Sequence, residues 1–144
     1  SIGVMGSLYI NSMKKNMDAL YFGSLVPVTE LNEIIHTYSS GLSGTIYKAS
    51  RLEISSSETA SNIENSLFKI SRKWKSYEAH FKRDDEVQYV EYTALEIHAA
   101  NNYFKRILKA TLNGKDLRKI SINNLEKRVT YVSKVIQKLI NYET

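Results

Sequence analysis

The stretch ASNIENSLFKISRKWKSYEAHF, residues 60–81, decides the fold of this chain. Apolar residues recur along it at alternating steps of three and four, and they are Ala60, Ile63, Leu67, Ile70, Trp74, Tyr77 and Phe81. This spacing is typical of a single helix that carries one apolar seam. A lone helix cannot bury such a seam, so the rest of the chain must supply partners.

Three other segments carry seams of the same spacing, and together they predict helices over residues 11–51, 56–82, 85–112 and 117–143. The fourth helix has two candidate starts, Asp116 and Ser121. The seam of the third helix is predicted to consist of Val87, Val90, Ala94, Ile97, Asn101, Phe104, Leu108 and Thr111.

Turn signals separate these segments. Ser55 followed by Glu58 fits a capping box, and Asp85 followed by Gln88 resembles an N-cap. Asn113 and Gly114 close the third helix, because Gly suits the position just past a helix end. Three short connections predict one domain over residues 1–144, an all-α, antiparallel, up-down-up-down four-helix bundle.

Pro27 lies inside the first predicted helix. A proline there removes a hydrogen bond, and its ring crowds the carbonyl group four residues earlier. That residue is Gly23, which has no side chain to obstruct an adjustment. The sequence therefore predicts a long, continuous first helix with a kink near Pro27.

The charge of the chain is moderately basic, with 20 Lys and Arg against 15 Asp and Glu and a net charge of +5. Acids and bases alternate, which is typical of a solvated surface, while an anionic ligand or an anionic membrane would also suit the excess. No five like charges occur in a row, which argues against nucleic acid as a partner. There is no Cys, so thiol chemistry is excluded.

No segment has the roughly 20 apolar residues that span a bilayer. Residues 1–13 carry no charge, however, and Lys14 and Lys15 follow them. This start is either a loosely packed helix end or the outer end of a transmembrane helix.

The seams contain one strongly polar residue of note, Asn101. Counting along the helices from the turns near residues 55 and 116, at equal rise per residue, places Tyr38 and Tyr131 at the same height in the bundle as Asn101. Asn101 either sets the helix register through a bond across the bundle or contacts a ligand in an internal pocket. Trp74, in the second seam, is either core filling or a wall for an aromatic ligand.

Basic residues gather towards the turns near residues 55 and 116. They are either solvated surface charge or a fork for a carboxylate ligand. With the tyrosines and Asn101, the candidate ligand-binding residues are Tyr38, Tyr47, Lys48, Arg51, Asn101, Arg128 and Tyr131.

Metal and enzyme chemistry find little support. His36, His80 and His98 lie on three different helices, and none has the spacing of a bundle metal site. There is no Gly-rich phosphate loop and no nucleophile–base set. We therefore predict no metal, no cofactor and no enzymatic activity.

The chain resembles the four-helix-bundle sensor domains of methyl-accepting chemotaxis receptors and of some sensor histidine kinases. The resemblance spans the chain and rests on LYFGSLVPV, residues 20–28, followed by Leu31, and on LNG, residues 112–114. It implies an extracytoplasmic (periplasmic) domain between two transmembrane helices, before Ser1 and after Thr144. It also implies a homodimer that binds a small carboxylate or amino acid and relays a helix shift across the membrane.

Two other functions stay open at this point. The same fold serves as the sensor domain of a membrane histidine kinase, which the downstream sequence would distinguish. A helical protein-interaction module is the third hypothesis, with outer tyrosines docking a partner, namely Tyr89, Tyr92, Tyr103 and Tyr131.

Overall fold

The computed structural model describes residues 25–80 and 82–144. Within these ranges the chain forms four helices and no strand: α1 over residues 26–50, α2 over Ser56–Ala79, α3 over Val87–Leu112 and α4 over Ile122–Glu143. The predicted all-α four-helix bundle is confirmed. The part of the first predicted helix over residues 11–24 lies outside the described residues.

Each helix packs on its neighbours in the sequence, and α4 closes the ring against α1. Short connections make consecutive helices antiparallel. The connections after α1 and after α3 lie at one end of the bundle, which we call the distal end. The connection after α2 and the end of α4 lie at the opposite, proximal end.

The seam of α2 is confirmed. Its six described members are all at most 9% exposed, whereas Phe81 lies outside the described residues. The Ser55 hydroxyl accepts a hydrogen bond from the Glu58 backbone N–H at 3.1 Å, so the predicted cap is present. Burying a side chain of Leu or Ile size stabilises the fold by about 1.5–3 kcal/mol, which makes this seam the main tie between α2 and the core.

α1 contains a feature that the sequence did not reveal. Its α-helical parts Val26–His36 and Gly44–Ser50 flank a π-helical segment, Thr37–Ser43. A Cβ atom at Gly41 would lie 2.6 Å from the Ser66 Oγ atom, so glycine permits this close approach of α1 to α2.

The predicted kink stays a prediction. Pro27 lies in the first turn of Val26–His36, and Leu25 before it has helical backbone angles. Gly23, on which the kink depends, lies outside the described residues.

The predicted core face of α3 is half confirmed, because four of its eight members are buried, but the real face is rotated towards the residues that precede Ala94, Asn101 and Leu108. The buried row is Val90, Thr93, Ile97, Ala100, Phe104, Ile107 and Thr111. Val87 is 43% exposed, and the predicted seam members Ala94, Asn101 and Leu108 are only partly buried. The reason is that a helix in a four-helix ring faces two neighbours at once, so its core stripe is wider than one heptad seam.

Three predicted helix ends were misplaced. α2 ends at Ala79 and not at Lys82, because His80 is extended and the Lys82 ammonium caps the carbonyls of Tyr77 and His80 at 2.6 and 3.0 Å. α3 begins at Val87 and not at residue 85, since Asp84–Glu86 forms a 3-10 turn.

α4 begins at Ile122 and not at residue 117. The Ser121 hydroxyl accepts from the Asn124 backbone N–H at 3.2 Å, so the later of the two predicted starts is the real cap. The end of α3 is as predicted: Gly114 has φ +77°, and the Lys115 N–H donates to the Ala110 carbonyl at 2.9 Å.

None of the helices in the described part of the chain is sufficiently long and apolar to cross a membrane.

Candidate functional site

The predicted site residues fall in three separate places. Tyr38 and Asn101 meet inside the bundle. Tyr47, Lys48 and Arg51 lie near the distal end of α1. The remaining two residues, on α4, line a groove that α4 forms with α3.

The interior pair joins α1 to α3. The Tyr38 hydroxyl donates to the Asn101 Oδ1 atom at 2.6 Å, and the Tyr38 side chain is fully buried. Burial raises the pKa of Tyr38, so the hydroxyl keeps its proton and donates at any ordinary pH. Because each group satisfies the other, this contact fits the register-setting interpretation of Asn101.

The α1 cluster is already occupied by neighbouring acids. The Arg51 Nε atom lies 3.0 Å from the Glu53 Oε1 atom, and its guanidinium lies 5.9 Å from the centre of the Tyr47 ring. The Tyr47 hydroxyl donates to Glu126, which raises the pKa of Tyr47. An anionic ligand would have to displace these contacts, and Lys48 is the exposed cation that remains.

The groove between α3 and α4 consists of two adjoining clefts of about 320 and 430 Å³. They meet at Tyr103 and Asn124, which line both. The smaller cleft is also lined by Lys127, Arg128 and Tyr131. The larger one extends to the distal connection and is also lined by Arg106, Ile107, Ala110, Lys115, Asp116, Leu117, Lys119, Ile120 and Ser121.

The charged side chains that line this groove are mostly positive. Five cations line it: Arg106, Lys115, Lys119, Lys127 and Arg128. None of them takes part in an ion pair found among residues 25–80 and 82–144. The one acid in the lining, Asp116, is held by Arg118, whose Nε donates at 2.6 Å and lowers the pKa of Asp116.

Tyrosines fix the shape of the groove. The Arg128 guanidinium lies 5.6 Å from the centre of the Tyr103 ring, in a cation–π contact, and burial raises the pKa of Tyr103. The Tyr131 and Tyr92 hydroxyls are 2.8 Å apart and bridge α4 to α3 on the proximal side of Arg128. Sequence reasoning placed Arg128 and Tyr131 in the ligand site, but it assigned Tyr103 only to a surface for a protein partner.

The proximal end carries an acidic cluster that the sequence analysis missed. Glu30 of α1 is only 8% exposed. Its Oε1 atom accepts from the Ser76 hydroxyl at 2.6 Å and lies 3.3 Å from the His80 Nε2 atom. Its position three residues after Pro27 and four before Ile34 places it on the core face, which was the available signal.

A second acidic group at the proximal end joins Glu86, in the turn before α3, to Glu143, at the end of α4. Glu86 is 4% exposed, receives the Arg83 Nε–H at 2.6 Å, and shares a hydrogen bond with Glu143. Burial and that bond raise the pKa of Glu143 to about 7. The Tyr77 hydroxyl also donates to Glu143 at 2.9 Å. Burial acts to raise the pKa of Glu86, but its bonds to Glu143 and Arg83 outweigh burial and lower it.

Four antiparallel helices around a closed core, with a charged groove on the outside, define an all-α four-helix bundle. In the described residues no group of His, Cys, Asp or Glu is suited to a metal. The chain belongs to the family of four-helix-bundle sensory modules for signal transduction, found in methyl-accepting chemotaxis proteins, whose sequence model matches residues 1–144. This is a family of signalling modules and not of enzymes. Comparisons with curated proteins and with solved structures found no match.

Proposed function

We propose that this domain is the extracytoplasmic, periplasmic sensor of a transmembrane chemoreceptor and that it binds a small anionic molecule. Membership of the sensory-module family over residues 1–144 supports the receptor role. In this proposal transmembrane helices precede and follow the domain, and it performs no chemical reaction.

One observation supports the proposal that the ligand is anionic: the five cations of the α3–α4 groove have no ion-pair partner in the described residues. Cations elsewhere in the described chain also lack an ion pair, for example Lys48, Lys105 and Lys138, but they are exposed and line neither cleft. The groove differs because it gathers five cations around one concavity. Clustered like charges repel one another, and a bound anion would relieve that repulsion.

The signal would leave through α4. Asn124, Lys127 and Arg128 of the groove lie near its start, and the helix runs unbroken to Glu143, about 33 Å at 1.5 Å per residue. A ligand shifts a receptor between states only if it binds one state better. A ligand held between α3 and α4 would favour one relative position of these helices, and α4 would transmit that position to the proximal end.

We further propose that the domain works as a homodimer. The exposed aromatic and aliphatic side chains on α2 and α3 support an association of some kind, since Phe68 is 67% and Leu95 is 69% exposed. The same surface is what favours the protein-interaction hypothesis. Analytical ultracentrifugation with and without ligand separates the two: a reversible dimer fits the receptor, and a strictly monomeric domain contradicts the dimer.

The experiment that tests the function is a thermal-shift screen of the domain against amino acids, organic acids, aromatic acids and purines. A ligand at 100 times its Kd stabilises the folded state by about 2.7 kcal/mol, or about 9 °C in Tm for a domain of this size. We expect at least one anionic compound to raise Tm.

Two results would count against the proposal. Stabilisation by no compound in any class contradicts direct sensing of a small molecule. A full-length reading frame without about 20 apolar residues on either side of the domain contradicts the transmembrane receptor.

A further inference from the structure

The larger cleft of the groove has an apolar wall. Ile107 of α3 is buried, and Leu117 and Ile120 of the distal connection are packed against the core. Together with Ala110 they supply the apolar part of the lining, and Arg106, Lys115 and Lys119 supply its positive charge. An inorganic anion would make no use of this wall, whereas an apolar molecule would make no use of the cations.

The smaller cleft offers the complementary polar groups. Arg128 presents a guanidinium, which suits a carboxylate because its N–H groups form a planar fork. It is held over the Tyr103 ring, which limits the ordering it must undergo on binding. Asn124 and Tyr131 add neutral hydrogen-bonding groups, and Lys127 adds a second positive charge.

The size of the groove restricts the ligand further. Clefts of about 320 and 430 Å³ fall in the range of small-molecule sites. We propose that the α3–α4 groove binds a small organic acid, with its carboxylate on Arg128 and its apolar body along the wall formed by Ile107, Leu117 and Ile120. This inference rests on the proposed function in taking the ligand to be anionic, and it adds the location and the chemical class.

The test is calorimetric titration of the 144-residue chain with benzoate, hexanoate and adipate. Benzamide serves as the neutral analogue and inorganic phosphate as the anion without an apolar body. We expect at least one acid to bind, benzamide to bind at least tenfold more weakly than benzoate, and phosphate not to compete at equal concentration.

Two variants locate the binding. Arg128→Ala should raise the Kd of the acid about tenfold to hundredfold, the usual loss for a charge-assisted hydrogen bond. Arg106→Ala removes a cation of the same groove and should raise the Kd less, because Arg106 is exposed and lines only the larger cleft, away from the carboxylate position at Arg128. Their matched controls are Lys138→Ala on α4 and Lys105→Ala on α3, both exposed and outside the groove lining, which should leave Kd within about twofold.

Each alternative outcome overturns a specific step. Acid binding that neither Arg128→Ala nor Arg106→Ala weakens beyond its control overturns the groove and leaves the sensor function standing. Binding of phosphate in place of the acids overturns the chemical class. If no acid binds in the titration but a compound of another class raises Tm in the thermal-shift screen, the proposed site is wrong and the sensor function stands. If no compound of any class raises Tm, both proposals are contradicted. Circular dichroism of the variants confirms that lost binding is not lost folding.

Discussion

The two ends of this bundle use charge in opposite ways. At the distal end, cations line an open groove, and Asp116, the acid that the described part of the chain contributes to the lining, is paired with Arg118. At the proximal end, Glu30 and Glu86 are buried and Glu143 is partly buried, and these carboxylates bond Ser76, Tyr77, Arg83 and one another.

The difference separates a binding surface from a structural anchor. Exposed charges without partners contribute little to stability and are available to a ligand. Buried carboxylates are costly unless they are bonded, so each must keep its partners for the fold to hold. We therefore expect proximal substitutions to change stability and distal substitutions to change affinity.

The largest effect expected is that of Tyr77→Ala. The Tyr77 ring stacks on Trp74 at 5.1 Å between ring centres, lies under the Lys82 ammonium at 3.9 Å, and bonds Glu143. Removing a buried aromatic side chain costs about 3–5 kcal/mol. Urea unfolding should show this loss, with a clearly smaller loss for the half-buried Tyr103→Ala of the groove. Equal losses would contradict the division between anchor and binding surface.

The next largest loss of stability is expected in the middle of α1, at Gly41. Gly41→Ala would place a Cβ atom 2.6 Å from Ser66 Oγ, so α1 and α2 must separate or Ser66 must rotate. Overpacking of this kind costs about 1–3 kcal/mol, and we expect the lower part of that range.

The control lies on the same helix. A Cβ atom at Gly44 meets nothing within 4 Å, so Gly44→Ala should stabilise the domain by about 0.4–1 kcal/mol. Ser66→Ala should partly rescue Gly41→Ala, because it removes the closest atom. Chemical denaturation of the wild-type domain, Gly41→Ala, Gly44→Ala and the double variant Gly41→Ala/Ser66→Ala checks this. A neutral Gly41→Ala would mean that the Ser66 side chain rotates away without cost and would contradict the expected overpacking.

The proximal carboxyl pair predicts a pH dependence. The pKa of Glu143 is about 7 in the folded domain, raised by burial and by its bond to Glu86. Among the described residues, Glu86, Tyr77 and Lys82 act on its carboxyl group. Since the raised pKa means that the folded state holds a proton that the unfolded chain releases, this contribution is complete below the ordinary carboxyl pKa and is lost as the pH rises through about 7.

The domain should therefore be more stable near pH 5.5 than near pH 8, and its Tm should be higher there. The difference in the free energy of unfolding should be less than about 1 kcal/mol, because the group is partly solvated. Glu86, whose pKa is lowered, acts in the opposite sense, but at pH values below the ordinary carboxyl range. Glu143→Gln should flatten the slope, and the exposed Glu64→Gln should keep it. An unchanged slope in Glu143→Gln would assign the dependence to another group.

The smallest change in stability is expected for a substitution of Arg51. This residue tests whether the ligand binds near the end of α1 or in the groove that contains Arg128. Arg51 is exposed and already paired with Glu53, so Arg51→Ala should change stability by less than about 0.5 kcal/mol. It should leave the affinity for the organic acid within about twofold. A loss of affinity as large as that of Arg128→Ala would move the site to the distal end of α1.

The helical periodicity of the sequence was sufficient for the fold. The α2 seam and the caps at Ser55 and Gly114 all depend on contacts within a few residues, and these are what spacing rules describe. The rotated face of α3 and the π-helical segment Thr37–Ser43 depend on neighbouring helices, so no rule confined to one helix could have given them.

The site was predictable only in part. Arg128 was identified as one of the basic residues gathered towards the distal end, but its contact with Tyr103 depends on the rotation of α3 against α4. The hydrogen bond between Glu86 and Glu143 likewise brings together residues from a turn and a helix end that are far apart in the sequence. Such juxtapositions arise from packing, which a single sequence does not display.

The most direct test of the central claim is an NMR titration of the isotope-labelled domain with the tightest binder among benzoate, hexanoate and adipate. The account predicts saturable shifts in the backbone amides of residues 103–110 and 115–131, with smaller shifts along α4 towards Glu143. Shifts confined to residues 47–53, or to the proximal cluster around Tyr77, would contradict an anion-binding groove between α3 and α4.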